Sequence, residues 1–290
     1  MSDNQFVNIS QELTMKDEKI KQLEEKIDEI EKKLNEFNKS LEQRVIDRTV
    51  EVNKLIREKA RFIDNLSHDL ATPLTPIISL LPIVKEKLSD EESLEIIDTC
   101  IRNAEYIKRV VNNARELAEI SASDLFLKKE NLYQILDELL KKYNMVFNSN
   151  NIKVENLINQ EVLIKTEKNR LIQVFDHITS NAVNSMHNGG TITFESKPVT
   201  KDSGTFYQIS IKDTGIGLSR EQTNHLFDEF YKTDESRHKL DSTGLGLTIC
   251  KSIIEKHGGK IWADSHGEGT GTTIYFTIPT PEVISSRSFF

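Results

Sequence analysis

The sequence contains no run of about 18 apolar residues, the length needed to cross a bilayer. Its opening residues, MSDNQFVNIS, do not show the charged-then-apolar pattern of a secretory signal. No membrane span is therefore expected in this chain. Cysteine is scarce: Cys100 and Cys250 stand isolated in helix-like patterns. Their isolation argues against a disulfide framework or a zinc site and fits a reducing compartment, read as cytoplasm. Basic tracts of five or more residues are missing, and 46 acidic residues against 38 basic give a net charge of −8. Neither nucleic acid nor an anionic membrane surface is expected as a partner. Solenoid repeats and low-complexity tracts are also absent, apart from one charged coil. A length of 290 residues is enough for two domains.

What is present begins with that coil. Ile20, Leu23, Ile27, Ile30, Leu34, Phe37 and Leu41 alternate spacings of three and four among Lys and Glu. This is the seam of a heptad coiled coil, expected over residues 15–60 as a parallel dimer, with residues 1–14 disordered before it. After Leu41 the next apolar position is Val45, because Arg44 occupies the seam, and the repeat resumes through Val52, Leu55 and Phe62. Such a stutter locally unwinds a supercoil. It reads either as an imperfection in a dimerisation stalk or as a place where rotation passes along the helix.

The stretch FIDNLSHDLATPLTPI, residues 62–77, continues the helical pattern, with Ile63, Leu66, Leu70, Leu74, Ile77 and Leu81 as its apolar stripe. His68 lies roughly 200° around the helix from that stripe, beside Asp69 and ahead of Pro73 and Pro76. Pro73 offers no amide to residue 69, which predicts a bend there. The pattern runs to about Lys87. Ser89 and Glu92 then have the spacing of a capping box for a second helix, whose apolar stripe runs from Leu94 through Ile101, Ala104 and Val111 to Leu117. A short link between two long amphipathic helices gives an antiparallel hairpin, and two hairpins give a dimeric four-helix bundle, expected over residues 61–122.

From residue 123 to about 280 the pattern mixes strands and helices. Strands are expected near 125–129, 151–157, 161–165, 191–197, 206–213, 259–264 and 272–278, and helices near 131–147, 167–186 and 246–257. That predicts an α+β sandwich with helices over one sheet face. Residues 229–243 are polar and aperiodic, the character of a mobile loop, and residues 281–290 read as a loose tail.

DTGIGL places Asp213, Gly215 and Gly217 just after a strand, and STGLGL places Gly244 and Gly246 just before a helix. Glycines let backbone amides approach a phosphate, and a helix N-terminus adds a favourable dipole. A tight turn that needs positive φ accounts for an isolated pair of glycines equally well. The order of segments says more: the Asn-rich helix QVFDHITSNAVNSM, the acid-glycine box, a polar loop, the second glycine box, and GEGTGT before the last strand.

Together these segments resemble the two-component sensor histidine kinases from about residue 50 to residue 279. FIDNLSHDLATPLTPI is similar to the family's phosphoacceptor box and NRLIQVFDHITSNAVNSMHNGGTI to its asparagine box. DTGIGL, LFDEFYKTD and STGLGLTICKSIIEKHGGKI are similar to its remaining nucleotide boxes. The resemblance implies a helical dimerisation and phosphotransfer domain followed by a Bergerat-type ATP-binding domain, shared with topoisomerase and mismatch-repair ATPases. It implies a homodimer in which the γ-phosphate of ATP moves to a histidine and then to an aspartate in the receiver domain of a response regulator. Dephosphorylation of that regulator is implied as well.

By the family's pattern His68 is the phosphoacceptor, Asp69 its acid/base partner, and Thr72, one turn on, positions water for regulator dephosphorylation. The residue chemistry agrees. A neutral imidazole is nucleophilic, a carboxylate can fix its tautomer, and residues three and four apart share a helix face. Asp213 matches the residue that accepts from the adenine amino group, and Asn181 supplies a neutral oxygen suited to magnesium or to a phosphate-bound water. Lys232 stands where a basic residue near the phosphates is usual. The other nucleotide contacts implied are Asn184, Gly215, Gly217, Thr243, Gly244, Leu245, Gly246, Leu247 and Thr272. Phe227 and Phe230 read as ordinary lid packing. The implied cofactors are ATP and Mg2+, with Mn2+ as an alternative.

Three positions depart from the family's pattern. His177 stands where a metal-coordinating Asn is common, four residues before Asn181, and imidazole is a poor ligand for magnesium but a better one for softer divalent metals. The usual Lys-Tyr pair is Asn184 and Ser185, and the Arg often found before Thr-Pro is Ala71. A working but slow kinase is expected. The alternatives are a weakly active nucleotide-binding docking module for a regulator, and a serine kinase or conformational ATPase, against which the SHDLATP helix speaks. No sensor domain is recognisable in the first 60 residues, so the input is expected from a separate sensor protein or from a missing part of a longer receptor.

Overall fold

The computed structural model describes residues 3–201, 204–232 and 242–281, in two compact units, Met1–Arg57 and Glu58–Phe290. The described part of the first unit is helical throughout, formed by helix α1, whose full span is Asp3–Lys85. Its heptad residues Leu23, Ile27, Ile30, Leu34, Phe37 and Leu41 are all exposed in the single chain. The helix begins at Asp3, so the stretch up to residue 14 that was expected to be disordered is helical from there on. The reason is legible in the pattern: Phe6 and Leu13 extend the seven-residue spacing of Ile20, Ile27, Leu34 and Leu41. The stutter after Leu41 does not interrupt α1.

In the second unit the remainder of α1 and α2 (Glu91–Ala122) form the expected antiparallel hairpin. Asp64 pairs with Arg115 at 3.0 Å, and Lys85 pairs with Asp98 at 2.7 Å. The expected apolar stripe splits in two. Leu74 is buried together with Ser67, whereas Leu66, Leu70 and Ile77 remain 42%, 45% and 43% exposed. The helix is unbroken through Pro73, Pro76 and Pro82. Next to these prolines the hydroxyls of Thr72 and Thr75 donate to the carbonyls of His68 (2.9 Å) and Ala71 (2.8 Å).

The N-terminus of α2 differs from the expected capping box. Asp90, not Ser89, is the N-cap, and its carboxylate accepts from the Ser93 amide at 2.9 Å. Residues 86–88 are consumed by hydrogen bonds back onto the end of α1. The cap therefore falls one residue later, where an aspartate serves as well as a serine.

Beyond α2 all seven expected strands form: β1 Lys128–Asn131, β2 Ile152–Asn156, β3 Leu163–Thr166, β4 Gly190–Lys201, β5 Gly204–Asp213, β6 Ile261–Asp264 and β7 Thr273–Pro279. Five make one sheet in the order β2-β4-β5-β7-β6, with β2 parallel to β4 and the other pairs antiparallel. β1 and β3 make a separate antiparallel ribbon. Helices α3 (Leu132–Ser149), α4 (Lys168–Ser185) and the helix Gly246–Lys256 share one core with the alternate apolar residues of the sheet. At its centre Phe175 of α4 meets Phe194 and Phe276 edge-on, with centroids 6.4 and 5.7 Å apart, a favourable arrangement for aromatic quadrupoles.

A short helix not expected from the sequence, α5 (Arg220–His225), follows the acid-glycine box and is held by a capping box between Ser219 and Gln222. The glycine-box helix Gly246–Lys256 is therefore numbered α6. Most of the expected mobile loop (233–241) and almost all of the expected tail (282–290) lie outside the described residues.

His257, just past α6, fastens this layer. Its Nδ1 lies 2.8 Å from the Ile253 carbonyl, while Nε2 accepts from the Glu167 amide at 3.1 Å and lies 3.0 Å from the Thr166 hydroxyl. Nε2 acts as an acceptor and Nδ1 has a carbonyl partner, so the ring is the neutral Nδ1–H tautomer. Burial pushes its pKa below the ordinary histidine value.

Candidate functional site

A cavity of about 630 Å³ opens between α4, the two glycine boxes and α2. It holds ten of the twelve nucleotide contacts expected from the sequence: Asn181, Asn184, Asp213, Gly217, Lys232, Thr243, Gly244, Gly246, Leu247 and Thr272 all line it. Gly215 and Leu245 do not. Leu245 is buried as the residue ahead of α6. Gly215 acts from behind, because a Cβ there would collide with the Ser185 hydroxyl.

Asp213, at the end of β5, is buried. Two backbone amides donate to its Oδ1, from Gly215 at 2.8 Å and Thr272 at 3.2 Å, and the Ser185 hydroxyl lies 3.5 Å from the same oxygen. Oδ2 is left to accept from a ligand. Burial pushes this carboxyl's pKa up, and the same hydrogen bonds oppose the shift. Met186, Ile216 and Ile274 supply apolar walls at this end of the cleft, the setting expected around a flat base. Gly271 holds the corner. It has φ +75°, and a Cβ there would collide with the Asp213 carbonyl.

The other end is built from the second glycine box. Gly244 has φ +72°, and a Cβ there would come within 2.8 Å of the backbone of Phe230 and Tyr231. The Thr248 hydroxyl, in the first turn of α6, donates to the Asp228 carbonyl at 3.2 Å. The two sides of the 233–241 segment are thereby pinned together. Phe227 packs on the core as expected. Phe230 does not: it is 59% exposed with φ +60°, and its backbone lies against Gly244.

His177 and Asn181 both line the cleft. Asn181 is exposed, so its amide oxygen is available to a hard cation. The imidazole of His177 packs against Gly246, where an added Cβ would lie 3.1 Å from Nδ1. Its Nε2 is buried without a hydrogen-bond partner, and burial lowers its pKa. Among the described residues no group of three His, Cys, Asp or Glu side chains is placed to hold a metal. The donor set suits a cation held by Asn181 and by the phosphates of a ligand, with His177 as a neutral prop for the glycine turn.

α2 supplies the wall that the sequence did not disclose. Asn113 donates to the Thr243 hydroxyl at 2.7 Å, Lys232 reaches the Tyr106 hydroxyl at 3.3 Å, and Arg109 lines the cleft. Glu116 accepts from Gln173 and pairs with Arg170 of α4 at 3.5 Å. Lys232 is thus drawn to α2. On α1, His68, Asp69 and Thr72 are all exposed. A second, polar groove of about 440 Å³, lined by residues such as Glu195, Lys212 and Tyr275 of the sheet, contains none of the expected site residues.

Comparison with known proteins agrees with this geometry. Residues 166–282 match the family "Histidine kinase-, DNA gyrase B-, and HSP90-like ATPase". Residues 58–123 match the "His Kinase A (phospho-acceptor) domain". The sensor histidine kinase WalK of Bacillus subtilis is 33% identical over 243 residues, covering 82% of this chain and 39% of that protein. Drug sensory protein A of Synechocystis is 30% identical over 244 residues, covering 80% and 36%. The chain thus spans less than two-fifths of the length of these relatives. Among solved structures, full-length ShkA in complex with AMPPNP superposes with a TM-score of 0.61 over 77% of this chain and 46% of that one, at 20% identity. The histidine kinase AdeS of Acinetobacter baumannii gives 0.54 over 74% and 98%, at 21% identity. Both likenesses show the fold. The chain belongs to the two-component sensor histidine kinases: it carries a phosphoacceptor domain followed by a histidine-kinase-type ATPase domain.

Proposed function

We propose that this chain phosphorylates itself on His68 from ATP and passes the phosphoryl group to an aspartate of a response regulator. The observation that carries the reading is an adenine-type cleft around the buried Asp213, on the same compact unit as a hairpin that presents an exposed histidine-acid pair. Oδ2 of Asp213 accepts from the exocyclic amine of adenine while Oδ1 stays fixed by its backbone donors. The phosphates lie along Gly244–Leu247, where the N-terminal amides of α6 face a polyanion. In the chemical step a ring nitrogen of His68 attacks the γ-phosphorus, the bond to the bridging oxygen breaks, and ADP leaves. Asp69 holds the proton on the other ring nitrogen. Magnesium, when bound by Asn181 and the phosphates, screens charge on the transferring group.

Thr72 has a defined stance for the reverse activity. Its hydroxyl proton is committed to the His68 carbonyl, so toward solvent its oxygen can only accept. A water that donates to it presents a lone pair for attack on a phosphorylated regulator. The exposed seams of α1, including Leu66, Leu70 and Ile77, support assembly as a homodimer through a parallel coil and a four-helix bundle. ThkA, a kinase similar in fold (TM-score 0.55, 22% identity), is known in complex with the response regulator protein TrrA. That supports a receiver domain as partner here, and we place the reaction in the cytoplasm. No helix among the described residues is long and apolar enough to cross a membrane. The reading is tested by incubating the chain with γ-labelled ATP, with magnesium and manganese in parallel. Label should enter the protein in magnesium and leave it when a receiver domain is added. A chain that binds ATP without labelling would instead be the docking module.

A further inference from the structure

The face of α2 that meets the nucleotide cleft follows helical spacing: Tyr106, Arg109, Asn113 and Glu116 recur at three and four. The hydroxyl of Tyr106 is 3.3 Å from the Lys232 ammonium, which also lies 4.8 Å from the ring centroid. Asn113 holds Thr243, the residue just before the glycine turn. Arg109 stands between these two contacts and lines the same cleft. Thr243 leads directly into the glycine turn and Lys232 lines the same cleft, so Arg109, between their partners on α2, lies at the glycine-box end of the cleft, where the phosphates are read to bind.

Among the described residues that end is short of cations. The usual lysine of the asparagine box is Asn184 here, His177 is a buried neutral ring, and Lys232 shares its charge with the Tyr106 ring. We propose that Arg109 binds the polyphosphate tail of the nucleotide, so that the ATP site is shared between the phosphotransfer hairpin and the ATPase domain. A guanidinium presents a planar fork of donors that matches phosphate oxygens two at a time and stays charged at any working pH. One consequence is that a nucleoside triphosphate holds the ATPase domain against α2 more firmly than a monophosphate does. The inference rests on the nucleotide reading of this cleft.

The test is calorimetric titration of the full chain with ATP and with AMP. Arg109→Ala should weaken ATP about tenfold or more and leave AMP within about twofold, and Arg109→Lys should recover part of the loss. Unchanged ATP affinity in Arg109→Ala overturns the inference. So does an equal loss for both ligands, since that is the signature of a merely structural residue. Asp213→Asn, at the adenine end, should weaken ATP and AMP alike. If it weakens neither, the nucleotide reading fails independently of Arg109.

Discussion

The side-chain amide of Asn113 donates to the hydroxyl of Thr243, 2.7 Å away, joining the phosphotransfer hairpin to the residue that precedes the glycine turn. The same hydroxyl accepts from the Leu245 amide at 3.3 Å. One oxygen thus carries both the contact between domains and the shape of the turn.

Removing the donor should loosen the turn locally. Asn113→Ala is expected to cost about 1 kcal/mol, seen as a roughly fivefold loss of hydrogen-exchange protection at Leu245–Leu247. Amides of β5 and β7 should keep their protection. A uniform change across the domain would show that the contact does not act on the turn.

Asp213 trades stability for binding. Its pKa is raised in the folded state, so the carboxyl favours folding only below its unfolded value near 4 and disfavours it as pH rises. At neutral pH the ionised form is the costly one. Asp213→Asn keeps an oxygen for the Gly215 and Thr272 amides, so the unfolding midpoint without ligand should not fall at pH 7. Its amide group, facing the amine of adenine, should reduce ATP affinity about 10- to 100-fold.

His257 and His177 give the ATPase domain a pH edge. Both pKa values are lowered by burial, against the opposing pull of Glu167 on His257 and of Glu116 and Asp176 on His177. The unfolded chain takes up the protons first as pH falls. Stability should be full above about pH 6.5 and decline below it toward the folded values, by about 1.4 kcal/mol per pH unit for each group that remains unprotonated when folded. Urea titrations from pH 8 to 5 test this. His257→Gln should lower stability at pH 8 and flatten the decline.

Thr72→Ala should leave the rate of self-phosphorylation within about twofold and slow dephosphorylation of the regulator about tenfold or more. The comparison of the two rates in one preparation is the check. Equal dephosphorylation in the variant would remove the water-orienting role.

The sequence disclosed those parts of the site whose residues are constrained by their own neighbours. Asp213 with Gly217, and Gly244 with Gly246, could be read because a strand end and a helix start demand particular backbone at those points. All seven strands followed from alternation and turn residues. Gly271 lay inside a quoted motif, but its collision with the Asp213 carbonyl exists only once β5 and β7 are paired. Arg109, Asn113 and Tyr106 sat among ordinary polar positions of an amphipathic helix. Their partners Thr243 and Lys232 lie 130 and 126 residues further on, beyond any local pattern. The cap at Asp90 was missed by one residue because two adjacent residues were competent N-caps.

The proposed reaction turns on phosphoryl transfer to one imidazole, that of His68. After incubation with γ-labelled ATP and magnesium, the wild-type chain should carry a label that is lost in acid and survives in base, and His68→Ala should carry none. A label that survives acid, or one retained by His68→Ala, would contradict it.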